Sequence, residues 1–379
     1  MNRRGVWAVM LLMALWVVMP KAWGQRPPQT EPPRALVAQD TLMSWDRSAM
    51  PGDIELMAPK TMLAYDRLDY GKLYGRLFVT CAPTSHPSLG RCPTEDTGET
   101  GSVTSKVGLV LTESRTKTVT EIAVHGQLLR ADGTFACSTD TWKAYPRPLH
   151  TSYAIYCTVN PPAGTSMHLW LPSSELERLV AGKWTGAIEL NLRSPVDDSL
   201  GVYRFSFDFT ITDRNAVSIY FPAFHHVTPL VQLNSDYDPI RQTVGGRTSL
   251  EMCLYDGLGS QAQYLGVTVR DRSGKPPGPG GYSLWHTDGG SDDTRRLDYT
   301  VTLDHNGAPV PMPNGVEQQL HGIDTAQLRL VLLPGMSQPV FCVPTPITFD
   351  IPRVPISTQQ AGTYFGELQV ELRVPTVTP

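Results

Sequence analysis

From Tyr364 to Val374 apolar and polar residues alternate. Tyr364, Gly366, Leu368, Val370, Leu372 and Val374 face one way; Phe365, Glu367, Gln369, Glu371 and Arg373 face the other. A period of two predicts a half-buried β-strand. The same rhythm recurs in "RLFVTC", "SKVGLVLTES", "TEIAVHGQLLR", "SMHLWLP", "GAIELNLR" and "YRFSFDFTIT", all short and rich in β-branched or aromatic residues. The 33 prolines and 32 glycines are spread as punctuation between these runs, which suits many short strands joined by turns.

One stretch reads as helix. In "PSSELERLVAGK", Pro172 stands at the start, Ser174 precedes Glu177 by three residues as in a capping box, and Gly182 suits the position after the end. Leu176, Leu179 and Val180 form a small apolar face, enough for two turns at most. A crossover between strands is the expected role.

The strand pattern breaks near Asp213-Arg214-Asn215. Before it, Tyr203, Phe205, Phe207, Phe209 and Ile211 share one face; after it, "AVSIYFP" opens a new strand with Val217, Ile219 and Phe221 inward. A chain of this length is long for one core and natural for two. The expected division is residues 1–24 as an export signal, 25–214 as a first β-sandwich and 215–379 as a second. The class is all-β: two β-sandwiches in tandem, each ending on a strand introduced by Gly-x-Tyr at Gly201 and Gly362.

The first residues carry the signs of export. "MNRR" is a basic leader, residues 6–18 are apolar but short for a membrane span, and Ala22-Trp23-Gly24 fits a cleavage site. Loss of Arg3, Arg4 and Lys21 takes the 32 basic residues to 29 against 36 acidic ones, a net charge of −7. This balance excludes a generally basic nucleic-acid binder, and no nucleic-acid partner is expected. Six cysteines in an exported chain are read as disulfides, with local closure favouring Cys81–Cys92, Cys137–Cys157 and Cys253–Cys342 among the possible pairings.

Candidate chemistry is sparse. There is no GxSxG elbow, HExxH, P-loop or GxGxxG, so no catalytic residue and no cofactor is assigned. His225 and His226 would point to opposite faces of a strand, and Asp288, Asp292 and Asp293 lack the spacing of an EF-hand loop, so no metal site is assigned either.

"SIYFPAFHHVTPLVQLN", "TSLEMCLYDG", "FCVPTPITFDIP" and "AGTYFGELQVELRV" follow one another in a familiar order, preceded by "KLYGRLFVTC", "SMHLWLPSSELERL", "GKWTGAIELNLR" and "FTITDRN". With this ordered set the chain resembles the tip adhesin and biogenesis-initiator subunits of class 5 fimbriae, including the cable-pilus initiator, of the alternate chaperone–usher pathway. The resemblance implies that the two sandwiches are immunoglobulin-like and that the second is an incomplete pilin fold lacking its last strand. The groove would run between "AVSIYFP" and "GELQVELRV", walled by Val217, Ile219, Phe221, Leu368, Val370, Leu372 and Val374. It implies a periplasmic chaperone that fills the groove first, an outer-membrane usher, and a major pilin whose N-terminal strand replaces the chaperone's by β-augmentation.

The proline-rich "QRPPQTEPPR" is a poor donor strand, because proline cannot contribute to a ladder, which points to the fimbrial tip at the cell surface. The first domain would then meet a host-surface glycan or glycoprotein receptor. The family's arginine in the "LYxR" segment falls on Arg76, and the first basic position after the "LNL" strand falls on Arg193, with Ser194-Pro195 where further arginines would stand. The alternatives are a purely structural initiator, a periplasmic chaperone or a secreted glycan hydrolase.

Overall fold

A computed structural model describes residues 29–83, 86–132, 141–142, 145–154, 161–224, 226, 228–336 and 338–375. The expected export signal, Cys137, Cys157 and His225 lie outside the described residues.

The first nine strands are β1 (Thr30–Glu31), β2 (Leu36–Asp46), β3 (Ile54–Asp66), β4 (Phe78–Cys81), β5 (Ser105–Glu113), β6 (Val119–Ala131), β7 (Gly164–Leu171), β8 (Gly182–Ser194) and β9 (Asp197–Thr212). They form one hydrogen-bonded sheet in the order β1-β3-β7-β6-β5-β8-β9-β2, with β4 added to β8. The sheet forks at β8. Trp184–Gly186 pair with Glu113–Leu111 of β5, whereas Leu190–Arg193 pair with Cys81–Phe78 of β4. The alternation in β9 buries Tyr203, Phe205, Phe207, Phe209 and Ile211 against inward residues of β4 to β8 in a single core. The one parallel pair among the described residues, β2 with β9, runs the length of β2.

Among the described residues the remaining strands share no ladder with these. They are β10 (Ser218–Tyr220), β11 (Asp236–Asp238), β12 (Thr243–Leu250), β13 (Cys253–Tyr255), β14 (Tyr264–Asp271), β15 (Tyr282–His286), β16 (Arg296–His305), β17 (Ala308–Pro311), β18 (Gln318–His321), β19 (Arg329–Val331), β20 (Val340–Pro344), β21 (Ile347–Pro355), β22 (Tyr364–Phe365) and β23 (Leu368–Arg373). The orders are β10-β13-β20-β19, β11-β12-β21-β16-β15-β22 with β17 on β16, and β18-β14-β23. A second core of Leu254, Leu265, Val267, Val269, Leu303, Val343 and their neighbours fills the space between them. The chain is thus all-β, with two tandem sandwiches. The disulfides Cys81–Cys92 and Cys253–Cys342 form as the spacing favours.

Two elements differ from expectation. The helix, α1, is a single turn at Ser173–Leu176, and the capping box of Ser174 and Glu177 does not form. Instead the carboxylate of Asp53 accepts from the Ser173 amide at 2.9 Å, so a neighbouring strand end supplies the cap. The terminal strand is broken in two. β22 pairs with β15 and β23 with β14, and the chain steps between them at Gly366, where a Cβ would lie 2.9 Å from Leu284 Cδ2.

The two sandwiches touch through backbone. The Asp213 amide donates to the Gly257 carbonyl at 2.7 Å. Glu113 accepts from the amides of Arg115 and Thr116, at 3.0 and 2.6 Å, shaping the β5–β6 turn. From that turn Arg115 reaches across to the carbonyls of Ser260 and Ala326. Beside this contact lies a mainly apolar cleft of about 380 Å³ between Val180 and Trp184 on one side and Tyr255, Leu330 and Phe341 on the other.

Candidate functional site

Two places gather the residues singled out from the sequence. The first is the terminal strand. β23 pairs antiparallel with β14, from Gly266↔Arg373 to Asp271↔Leu368. Among the described residues no strand pairs with its other edge. Leu368, Val370, Leu372 and Val374 all turn toward the second core, yet each is only half-buried. Unpaired backbone beside incompletely covered apolar side chains is what a missing neighbour leaves behind.

The other expected wall is β10. Among the described residues it pairs only with β13, through Ser218↔Tyr255 to Tyr220↔Cys253. Ile219 and Phe221 pack half-buried against the same second core as β23. Val217 does not join them. It follows the short 3-10 turn Arg214–Ala216 and sits before the ladder begins, so the inward run starts at Ile219.

The second place is one end of the first sandwich. Register puts Arg193 opposite Phe78, two residues beyond Arg76, so both arginines belong to the same end. Their surroundings differ. Arg193 Nη2 is 2.7 Å from Asp198 and Nη1 is 3.2 Å from Glu95 and 2.8 Å from the Thr94 carbonyl. Its guanidinium lies 5.8 Å from the centre of the Phe78 ring, and its side chain is 15% exposed. The bond to Asp198 pushes its pKa further up. Its charge is answered within the fold, which sets it apart from the receptor contact expected of it. Arg76 instead is exposed and reaches neutral acceptors, the Ser152 carbonyl at 3.4 Å and the Ser152 hydroxyl at 3.5 Å.

Asp96 stands beside them. Burial works to raise its pKa, but hydrogen bonds from Ser152 and Gly98, with the nearby charge of Arg76, hold it below the usual carboxylate range. A third arginine, missed in the sequence, lies beneath. Arg130 is 1% exposed and occupies an inward position of β6, in phase with Ile122, Val124 and Leu128. The period of two that placed those residues inward also placed a guanidinium there. Among the described residues no group of His, Cys, Asp and Glu could hold a metal ion.

Tandem sandwiches, each holding a disulfide, with one edge of β23 unpaired among the described residues, are the arrangement expected of a fimbrial subunit. Family models for the first and second domains of the CFA/I fimbrial E subunit, CfaE, match residues 20–214 and 217–376, and the chain belongs to that family. The CFA/I fimbrial E subunit of Escherichia coli is 26% identical over 312 residues, covering 79% of this chain and 80% of the relative. The crystal structure of CfaE, the adhesive subunit of CFA/I fimbria of enterotoxigenic Escherichia coli, matches with a TM-score of 0.66 at 22% identity, over 93% of this chain and 95% of that one. A chain from a chaperone–tip adhesin complex of CFA/I fimbriae biogenesis matches with a TM-score of 0.64 at 22% identity, over 93% and 99%.

Proposed function

We propose that this protein is a minor fimbrial subunit that sits at the fimbrial tip, initiates assembly and adheres to host surfaces. Residues 25–214 form the receptor-facing domain and residues 215–379 the pilin domain. The observation that carries the reading is the free edge of β23 above half-buried Leu368, Val370 and Leu372. A strand laid along that edge would satisfy its backbone, and alternate apolar side chains would complete the second core. The periplasmic chaperone supplies that strand first, and the major pilin replaces it at the outer-membrane usher as the subunit passes from the periplasm to the cell surface. The first domain uses Arg76 toward a carboxylate on a host glycan, where a planar guanidinium offers paired donors. No catalytic step is assigned to the chain.

The test extends the full mature chain beyond Pro379 with a flexible linker and a peptide from the N-terminus of the major pilin. Without the peptide the protein should aggregate or melt in a broad transition. With it, a soluble monomer should unfold cooperatively. A stable, cooperative monomer lacking any donor would remove the missing-strand reading.

A further inference from the structure

Arg130 is a buried cation with no carboxylate among its hydrogen-bond partners. Nη1 donates to the Leu77 carbonyl at 2.6 Å and to Thr165 Oγ1 at 2.8 Å. Nη2 donates to the carbonyls of Thr151 at 2.7 Å and Tyr153 at 3.1 Å. The Nε–H has no acceptor. A hydrocarbon side chain would fill this inward position at lower desolvation cost, so a guanidinium here calls for a reason beyond packing.

The acceptors supply that reason. Thr151 and Tyr153 flank Ser152, and Leu77 follows Arg76 directly. Ser152 takes both hydrogen bonds of the Arg76 guanidinium, while its own amide donates to Asp96 at 3.0 Å. Arg130 therefore grips, from inside, the backbone next to Arg76 and both neighbours of the residue that orients the Arg76 side chain. Burial lowers its pKa to about 9, with Arg147 and Arg76 pressing the same way and Asp96 the other, so at neutral pH it is still a cation and offsets the Asp96 carboxylate beneath this rim. In low-dielectric surroundings its field is poorly screened. Arg193, opposite Phe78 in the neighbouring strand, contributes little because Glu95 and Asp198 answer it.

We propose that Arg130 is a positioning residue for an anion site at the Arg76 rim, holding Ser152 and Leu77 so that Arg76 presents its guanidinium to the acidic group of a carbohydrate. This rests on the reading of Arg76 as a receptor contact. Arg130 does not touch the sugar. It fixes the geometry of the residue that does, and its charge favours a carboxylate or sulfate over a hydroxyl at the same place. Both acidic groups share the planar or tetrahedral display of anionic oxygens that a guanidinium fork reads.

The experiment measures binding of the full mature chain to 3′-sialyllactose, to 3′-sulfated lactose and to lactose, across a series of salt concentrations. The native protein should prefer one of the acidic probes over lactose, and that preference should fall with salt; whichever acidic probe binds tighter identifies the group. Arg76→Ala should reduce the preference about ten-fold or more. Arg130→Met should reduce it comparably and flatten the salt dependence, although the residue is out of reach of the probe. Arg130→Lys keeps the charge without the fork and should restore the salt dependence while leaving affinity a few-fold below native. Ser152→Ala, which leaves Arg130 in place, should weaken binding a few-fold and serves if the Arg130 variants unfold. Loss of acid preference in Arg76→Ala, with native binding and salt dependence in every folded Arg130 variant and in Ser152→Ala, would overturn the role of Arg130 alone. Native binding by Arg76→Ala, or no acid preference in the native protein, would overturn the Arg76 reading and this proposal with it.

Discussion

Gly259 of the second sandwich packs directly on Gly182 of the first: a Cβ on Gly259 would fall 2.6 Å from the Gly182 Cα and 2.9 Å from the Ala181 carbonyl oxygen. Gly259 also has φ +68, a left-handed conformation that other residues adopt at a cost. Gly259→Ala should therefore lose about 2–4 kcal/mol, combining backbone strain with overpacking against atoms that cannot rotate away. Gly274 is the control, with φ +71 and no atom within reach of a Cβ. Gly274→Ala should lose only about 1 kcal/mol. Urea denaturation of the donor-complemented chain compares them, and equal losses would show that the Gly182 contact contributes nothing.

The face assigned to β23 can be tested by one charge. Val370 stands opposite Val269 of β14 and packs against the second core. Val370→Asp should cost about 3 kcal/mol, because a carboxylate there has no partner. Glu371 points the other way and lies 3.5 Å from Arg270 with its side chain 42% exposed, so Glu371→Ala should stay within about 1 kcal/mol. Co-purification with the chaperone should fail for Val370→Asp and persist for Glu371→Ala. Normal capture of Val370→Asp would mean that the strand presents its other face.

The difference between these two residues was legible in the sequence, since a period of two assigns faces without knowledge of the partner. Alternation likewise exposed the core strands of the first sandwich and brought Ile219, Phe221, Leu368, Val370, Leu372 and Val374 to one core. Two things were not legible. Backbone steps such as the one at Gly366 depend on which strand lies alongside, and that is a long-range fact. The fate of a charge depends on residues distant in sequence: Arg193 looked like Arg76 until Glu95 and Asp198 closed on it. Arg130 shows the opposite case, an inward arginine that the alternation marked and that a hydrophobic reading of the strand passes over.

Arg193 and Arg76 should separate experimentally along that line. Arg193→Ala removes bonds to Asp198, Glu95 and the Thr94 carbonyl and a contact with the Phe78 ring, so it should cost stability, about 1 kcal/mol given the exposure of both carboxylates. Adhesion per folded molecule should not change. Arg76→Ala should shift stability by less than about 0.5 kcal/mol and weaken adhesion by about 1.5–3 kcal/mol. Adhesion by fimbriae matched for surface number decides it. The reverse pattern, with Arg193→Ala losing adhesion at native stability, would return Arg193 to the receptor site.

The bridge between Cys253 and Cys342 closes a separation of 89 residues and ties β13 to β20, whose ladder already joins Leu254 to Val343. Replacing both cysteines by alanine should cost at most about 4–5 kcal/mol, less if the unfolded chain keeps structure. Peptide mapping of the unreduced protein should find Cys253 joined to Cys342 and Cys81 to Cys92. A bridge from either pair to the other sandwich would overturn the division near Asp213.

Acid should weaken the junction through Asp46. This residue, at the end of β2, accepts from Thr212 Oγ1 and Ser48 Oγ at 2.7 Å each and from the amides of Ser48 and Arg214 at 3.0 and 3.1 Å. Partial burial works to raise its pKa, but these bonds outweigh it and hold the carboxyl well below the usual range. Because the folded value is depressed, its contribution is fully present above the unfolded value of ~4 and is lost as pH falls toward the folded value. Asp213 next to it has the opposite sign: burial raises its pKa despite Arg47 at 3.2 Å, so its ionised form opposes folding and acid relieves that penalty from above ~4 downward. The two predict a small rise in stability as pH falls toward about 4, from Asp213, and a decline below it, from Asp46. Asp46→Asn should lower stability at pH 7 by about 1 kcal/mol and flatten the acid limb. Asp213→Asn should leave that limb unchanged. Urea midpoints of the donor-complemented chain between pH 7 and pH 2 measure both, and parallel curves for the native protein and Asp46→Asn would show that the Asp46 carboxylate is not linked to folding.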